Sequence, residues 1–328
     1  HSQAFVWHSS RGIITMNVLS LFDGMSCGQL ALQRAGIQVD NYFAAEIDKY
    51  VIKVTQANFP STTQLGDVTT VDPDKLPKID LLIGGSPCQG FSFAGKQLNF
   101  DDPRSKLFWE YVRLLKALKP KYFLLENVKM KKESMDVITK ALGVEPIFIN
   151  SSRVSAQNRQ RYYWTNIPME SLPDDKGIVL ADILEDGHVD RDKSHCIDAN
   201  YFKGGNLKSY FEKHRRQLVF GARVVNRRLD ERGKRQDYNR DIPLQARLEL
   251  RSDDKTNCIT TVHKDSVVAY QDENITWRKL TPLECERLQT VPEGYTDHVS
   301  NTQRYKMLGN GWTVDVVSHI FGGLTQCT

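Results

Sequence analysis

Residues 17–128 repeat one pattern: a short apolar run, a turn holding glycine or an acidic residue, then a helical stretch. Residues 17–22 read as a buried strand, followed by the turn Asp23-Gly24-Met25-Ser26-Cys27-Gly28 and a helix over 29–35 that stops at Gly36. Residues 42–45 read as a second strand ending on Glu46, with a helix over 49–58 that stops before Pro60. A third segment ends at Gly66-Asp67-Val68, and 79–83 form a fourth strand. Residues 104–118 make an amphipathic helix, and 122–125 a fifth strand leading into Glu126-Asn127-Val128. Such alternation leaves few topologies open, because parallel strands need crossovers and the crossovers place helices on both faces. The expected fold class is α/β, a doubly wound, mostly parallel sheet with ligands at the C-terminal ends of its strands.

The fourth strand runs into Gly84-Gly85-Ser86-Pro87-Cys88-Gln89-Gly90. Pro87 fixes its own φ and pushes Ser86 towards extended geometry, which holds the Cys88 thiol on a stiffened turn. An isolated cysteine is ordinarily a small buried hydrophobe, so Cys88 gains weight only from its company. The six cysteines (27, 88, 196, 258, 285 and 327) show no CxxC spacing, which argues against a disulfide framework or structural zinc and for a reducing cytosol. His188, His195 and Cys196 fit no zinc pattern, and no metal site is expected. The first turn lacks the GxGxxG spacing of a pyrophosphate site. A cofactor with adenosine but no phosphate suits it better, with Glu46 accepting from the ribose hydroxyls.

Beyond residue 149 the character changes. Gln157-Asn158-Arg159-Gln160-Arg161-Tyr162-Tyr163-Trp164 sets two arginines beside three aromatics, and a planar guanidinium can grip a carboxylate, a phosphate or a base edge. Residues 168–187 read as a linker. The formal net charge is only +4, yet residues 203–251 hold 14 Lys and Arg against 6 Asp and Glu, so that stretch is +8 and the remainder −4. This asymmetry suits a surface for a polyanion, carried on long loops of a small irregular domain. Residues 278–289 return to helix, with Thr281 as N-cap, Pro282 in the first turn and Glu284 closing a capping box. Residues 307–314 make a glycine-bounded turn before a last apolar helix over 314–321. No run has the length of a membrane span. Residues 1–15 precede Met16-Asn17-Val18 and are read as an expression remnant.

Taken in order, these motifs resemble the cytosine-5 DNA methyltransferases: Phe-x-Gly at 22–24, Glu46, Gly-Asp at 66–67, Pro-Cys-Gln at 87–89, Glu-Asn-Val at 126–128, Gln-x-Arg-x-Arg at 157–161, Arg-x-Leu-Thr-Pro-x-Glu from Arg278, and Gly-Asn at 309–310. Each is short, but eight in sequence cover nearly the whole chain after Met16. The first turn, longer than the usual Phe-x-Gly-x-Gly, and Trp312 in the last motif are similar to the animal de novo enzymes. Asn310 and the separate basic region are similar to bacterial or phage ones.

The resemblance implies a Rossmann-like, S-adenosylmethionine-dependent catalytic and cofactor-binding domain over 16–167 plus 277–328. It implies a smaller target-recognition domain over 168–276. The implied reaction is methyl transfer to carbon 5 of cytosine in a specific sequence of double-stranded DNA, with the base flipped out of the stack. Cys88 is implied as the nucleophile, Glu126 as the group on ring nitrogen 3 and the amine, Arg161 on the base oxygen, and Arg159 in positioning. A glutamate bonded to a neutral ring nitrogen must carry the proton itself, which calls for a raised pKa. For the cofactor the implied set is Phe22, Asp23, Gly24 and Gly28 of the first turn, Glu46 with Ile47, Asp67 with Val68, Pro87, Asn310 and Trp312. DNA contacts are expected from Gln89, Ser92, Lys96 and Arg104 of the loop after Cys88, and from Arg227, Arg228, Arg232, Lys234 and Arg235. The expected setting is the cytoplasm of a bacterial or phage-infected cell, as a monomer, with a cognate restriction endonuclease as a candidate partner. Two rivals remain at this point: a tRNA cytosine-5 methyltransferase of the same fold, against which the basic insert speaks, and a catalytically silent DNA-binding homologue, against which intact Cys88, Glu126 and Arg161 speak.

Overall fold

The expected alternation is realised in a computed structural model, which describes residues 15–86, 106–220, 223–228, 230, 234, 236, 238–249 and 277–325. Strands β1 (Thr15–Leu21), β2 (Gln38–Ala45), β3 (Thr63–Gln64), β4 (Leu81–Gly84) and β5 (Tyr122–Val128) alternate with helices α1 (Cys27–Arg34), α2 (Lys49–Asn58) and α3 (Lys106–Leu118). Helix α4 (Lys132–Leu142) then leads to β6 (Pro146–Asn150) and β7 (Gln160–Thr165). The strands join in the order β3-β2-β1-β4-β5-β7-β6. The pairs among β1 to β5 are parallel, and β7 runs antiparallel to β5. The fold is α/β with a mostly parallel, doubly wound sheet, as expected.

Burial explains both the agreements and the departures. Val18, Leu19, Ser20 and Leu21 are all buried, and because successive strand side chains face opposite ways, both faces of the sheet are covered. Leu19, Leu21, Leu82 and Leu125 meet Phe108, Tyr111 and Val112 of α3 and Trp164 of β7 in one cluster. Gly84 is needed there: a Cβ would stand 3.0 Å from the Leu21 carbonyl oxygen and 3.1 Å from the Tyr111 ring. Strand β2 starts at Gln38 rather than 42, because its outer half is largely exposed and Val39 is its one apolar residue. Strand β5 runs on through Glu126 and Asn127, two buried polar residues that find partners at the strand's end.

The chain divides into two compact units, residues 1–149 with 161–172 and 314–328, and residues 150–160 with 173–313. In the second unit lie α5 (Leu207–Lys213), β8 (Leu218–Phe220), β9 (Arg223–Arg228), β10 (Leu244–Glu249), β11 (Trp277–Lys279), α6 (Pro282–Leu288) and α7 (Asn301–Asn310). The basic region is therefore not only loops. Strand β9 pairs antiparallel with β10, β8 with β11, and Tyr210, Leu218 and Phe220 supply a small core. The helix expected from 278 begins at Pro282, since Trp277–Lys279 pairs with β8 instead. Thr281 and Glu284 form the expected capping box, and the buried Glu284 carboxylate takes both terminal nitrogens of Arg278 at 2.7 Å. Residues 307–310 close α7 rather than a turn, and the last helix, α8 (Val314–Gly322), packs on α1 in the first unit. Among the described residues no helix is long and apolar enough to cross a membrane.

Candidate active site

At the C-terminal end of β1 the backbone turns sharply. Phe22, Gly24 and Ser26 all have left-handed φ values, 57°, 59° and 61°, a strained run of the sort that functional turns retain. Phe22 packs partly against the core, and its amide donates to the Ala45 carbonyl at 2.9 Å. The Asp23 carboxylate faces inward and accepts from Ser26 Oγ at 2.6 Å and Tyr42 Oη at 2.8 Å, so its side chain supports the turn. Gly28 is buried in the first turn of α1.

Burial pushes the Asp23 carboxyl up to about 6, with its hydroxyl donors opposing that rise. The native state therefore holds this proton more tightly than the unfolded chain, and stability falls as pH rises from about 4 through 6. A shift of about two units corresponds to about 3 kcal/mol. Asp23→Asn removes the titration, so the variant is expected to unfold at higher temperature than the parent at pH 8 and at an equal temperature at pH 4. Calorimetry across that range checks it, and equal melting points at both ends would contradict it.

Glu46, just past β2, is held by three backbone amides: Gly24 N to Oε2 at 2.9 Å, and Ile47 N and Asp48 N to Oε1 at 2.8 and 2.9 Å. A carboxylate offers about four lone-pair directions, so this aim leaves capacity for a hydroxyl donor. Beside it Ile47 is 74% exposed, a large apolar side chain standing in solvent at the strand end. Asp67 caps a short 3-10 turn through its bonds to Thr69 N and Oγ1, both 2.9 Å, and these bonds lower its pKa. The Val68 side chain lies in the core, which leaves only its backbone for a ligand, and Arg113 of α3 braces this turn by donating to the Val68 and Val71 carbonyls.

The ends of β4, β5 and β7 gather the second set. Val128 pairs with Arg161 and Glu126 with Tyr163 across the β5–β7 ladder. Arg161 Nε lies 2.7 Å from Glu126 Oε1 with both side chains nearly buried. Asn127 Nδ2 donates to the carbonyl and hydroxyl of Ser86 at 3.3 and 3.2 Å, tying β5 to the residue that precedes Pro87. Pro87, Cys88, Gln89, Ser92, Lys96 and Arg104 lie outside the described residues.

Arg159, expected in positioning, lies in the second unit. Its guanidinium is buried and donates to the carbonyls of Ile197 (3.1 Å), Gly309 (3.1 Å) and Gly311 (2.7 Å) and to Cys196 Sγ. It is a positioning residue for the Gly309–Gly311 segment. Gly309 has no alternative there, since a Cβ would stand 2.2 Å from the Asp198 carbonyl carbon. Asn310 is exposed and Trp312 half-buried. Arg227 and Arg228 stand on β9, and the Arg228 guanidinium donates to the carbonyls of Arg240 and Ile242, a structural use. Lys234 is exposed, while Arg232 and Arg235 lie outside the described residues. Sequence reasoning missed Ser151, Gln289 and Thr313, which meet Gln157 in a buried polar network. Their only advance signal is that polar residues stand inside otherwise apolar stretches.

A family model described as "C-5 cytosine-specific DNA methylase" matches residues 16–326. The Type II methyltransferase M1.ScrFI of Lactococcus lactis subsp. cremoris is 31% identical over 92% of this chain and 76% of its own length. The Type II methyltransferase M.NlaX of Neisseria lactamica is 30% identical over 92% and 94%. The Orphan methyltransferase M.SPRI of Bacillus phage SPR is 26% identical over 93% and 96%. Among solved structures, the Entamoeba histolytica methyltransferase EhMeth superposes with a TM-score of 0.68 at 16% identity, covering 95% of this chain and 98% of that one. A Spodoptera frugiperda DNMT2 mutant superposes at 0.63 with 20% identity, over 94% and 99%. At these identities the two structures establish the fold, a Rossmann-like methyltransferase fold.

Proposed function

The chain belongs to the C-5 cytosine-specific DNA methylases, and from that membership we propose that it methylates carbon 5 of cytosine within a specific sequence of double-stranded DNA. The observation that carries the reading is the Glu126–Arg161 pair. It stands at the end of β5 beside the Asn127 tie to Ser86, immediately before Pro87-Cys88. Carbon 5 of cytosine is a poor nucleophile, and a thiolate added to carbon 6 makes the ring enamine-like. Cys88 supplies that thiolate, which is the reactive form of the side chain. Glu126 bonds ring nitrogen 3 and the exocyclic amine, stabilising charge as addition proceeds, while Arg161 takes the base oxygen. Arg161 Nε holds Glu126 Oε1 at 2.7 Å, so a flipped cytosine enters a site whose polar groups are already oriented.

The residues at the ends of β1, β2 and β3 fit S-adenosylmethionine, which when bound supplies an electrophilic methyl group. Glu46 accepts from the ribose hydroxyls, exposed Ile47 and Phe22 offer apolar cover to the adenine, and Asp67 takes the adenine amine. The backbones of Gly24 and Val68 border the cofactor, and Asn310 and Trp312 are assigned to the methionine end. Residues 16–167 with 277–328 are the catalytic and cofactor-binding part, and 168–276 the target-recognition part. Arg227, Arg232, Lys234 and Arg235 serve DNA contact there, as Gln89, Ser92, Lys96 and Arg104 do in the catalytic part.

Glu46→Ala tests the cofactor assignment. Loss of a carboxylate that accepts from the ribose is expected to weaken S-adenosylhomocysteine binding by about tenfold or more. Calorimetric titration of parent and variant measures it, and equal affinities would overturn the assignment of Glu46.

A further inference from the structure

Gln289 belongs to none of the motifs above, yet it is fully buried at the C-terminal cap of α6 and uses both ends of its carboxamide. Nε2 donates to the Leu308 carbonyl at 2.6 Å and the Gly311 carbonyl at 3.3 Å. Oε1 accepts from Gln157 Nε2 at 3.0 Å and Thr313 Oγ1 at 2.9 Å. The Gly311 carbonyl is shared with Arg159, and the Thr313 hydroxyl is in turn bonded by Ser151 Oγ at 2.9 Å. One amide therefore joins the Gln157–Arg159 segment to the segment that carries Asn310 and Trp312.

We propose that Gln289 is a positioning residue for the reaction, fixing residues 309–313 so that Asn310 and Trp312 present one arrangement to the cofactor. The inference rests on the cofactor reading of Asn310 and Trp312. The chemistry is specific to an amide of this length, because two carbonyls need a donor and two donors need an acceptor from a single side chain. A glutamate would keep the acceptor and set a carboxylate against the Leu308 and Gly311 carbonyls. A methionine would fill the volume and leave buried groups without bonds. Gly309 packs closely on the Asp198–Ala199 backbone, which occupies the space where its Cβ would lie.

The test is binding of S-adenosylhomocysteine by calorimetry, and KM for S-adenosylmethionine and kcat, on Gln289→Glu and Gln289→Met well below their melting temperatures. Affinity for the product is expected to fall at least tenfold and KM to rise in step. At saturating cofactor kcat is expected to change less than threefold. Thr313→Val and Ser151→Ala trim the network at its edge without adding charge, and each is expected to weaken product binding two- to fivefold in a folded protein. A lowered melting temperature with unchanged affinity in the folded variants, the mark of a purely structural residue, would overturn the inference. Failure of the parent itself to bind S-adenosylhomocysteine would fell the cofactor reading and this inference together, and is seen before any variant is made.

Discussion

Replacing Cys88 with alanine is expected to lower methyl transfer by about 10⁴-fold or more, with S-adenosylhomocysteine affinity unchanged. Without addition at carbon 6 the pyrimidine ring has no enamine character. Orientation by Glu126 and Arg161 then has little nucleophilicity to work on. The parent's rate is expected to rise with pH through the thiol's ionisation, because only about a few per cent of an ordinary thiol is thiolate at pH 7. The alanine variant has no such limb. Single-turnover transfer of a tritiated methyl group, beside product binding and a melting curve, separates lost chemistry from lost folding. Activity within tenfold of the parent would show that another group, or another mechanism, performs the attack.

Arg159→Ala is expected to cost about 3–5 kcal/mol of stability. The side chain is among the largest fully enclosed in the protein, and its removal deprives the Ile197, Gly309 and Gly311 carbonyls of a donor while leaving a void. Lysine cannot reproduce the planar fork, so Arg159→Lys is expected to recover only part of the loss. Urea unfolding of the parent and both variants measures the effect. A change under about 1 kcal/mol for the alanine variant would contradict the positioning role.

The contrast between Arg159 and Arg161 shows where reading from the sequence stops. Both belong to one Gln-x-Arg-x-Arg motif, but Arg161 stands on β7 opposite Val128 and meets Glu126, whereas Arg159 precedes the strand and is enclosed by carbonyls 38 to 152 residues away. Spacing alone carries no information about those partners. The parallel sheet was legible because strands buried on both faces leave continuous apolar runs, and Gly36 and Thr281 mark helix ends by local chemistry. The outer half of β2 was not, being largely exposed, nor was the persistence of β5 through two polar residues whose partners are Arg161 on β7 and Ser86 just past β4. In the basic region, charge hid the β9–β10 pairing, since Arg-rich strands lack the apolar alternation that signals a ribbon. The role of Gln289, like the partners of Arg159, is set by tertiary structure, which supplies all four of its bonds.

The most direct measurement is transfer of a labelled methyl group from S-adenosylmethionine to plasmid DNA and, in parallel, to tRNA, with Cys88→Ser as control and bisulfite sequencing of both products. The expected result is carbon-5 methylation of cytosine in the plasmid at one recurrent short sequence, absent from the control and from the tRNA. Label confined to tRNA, or cofactor binding without transfer to DNA, would contradict the account.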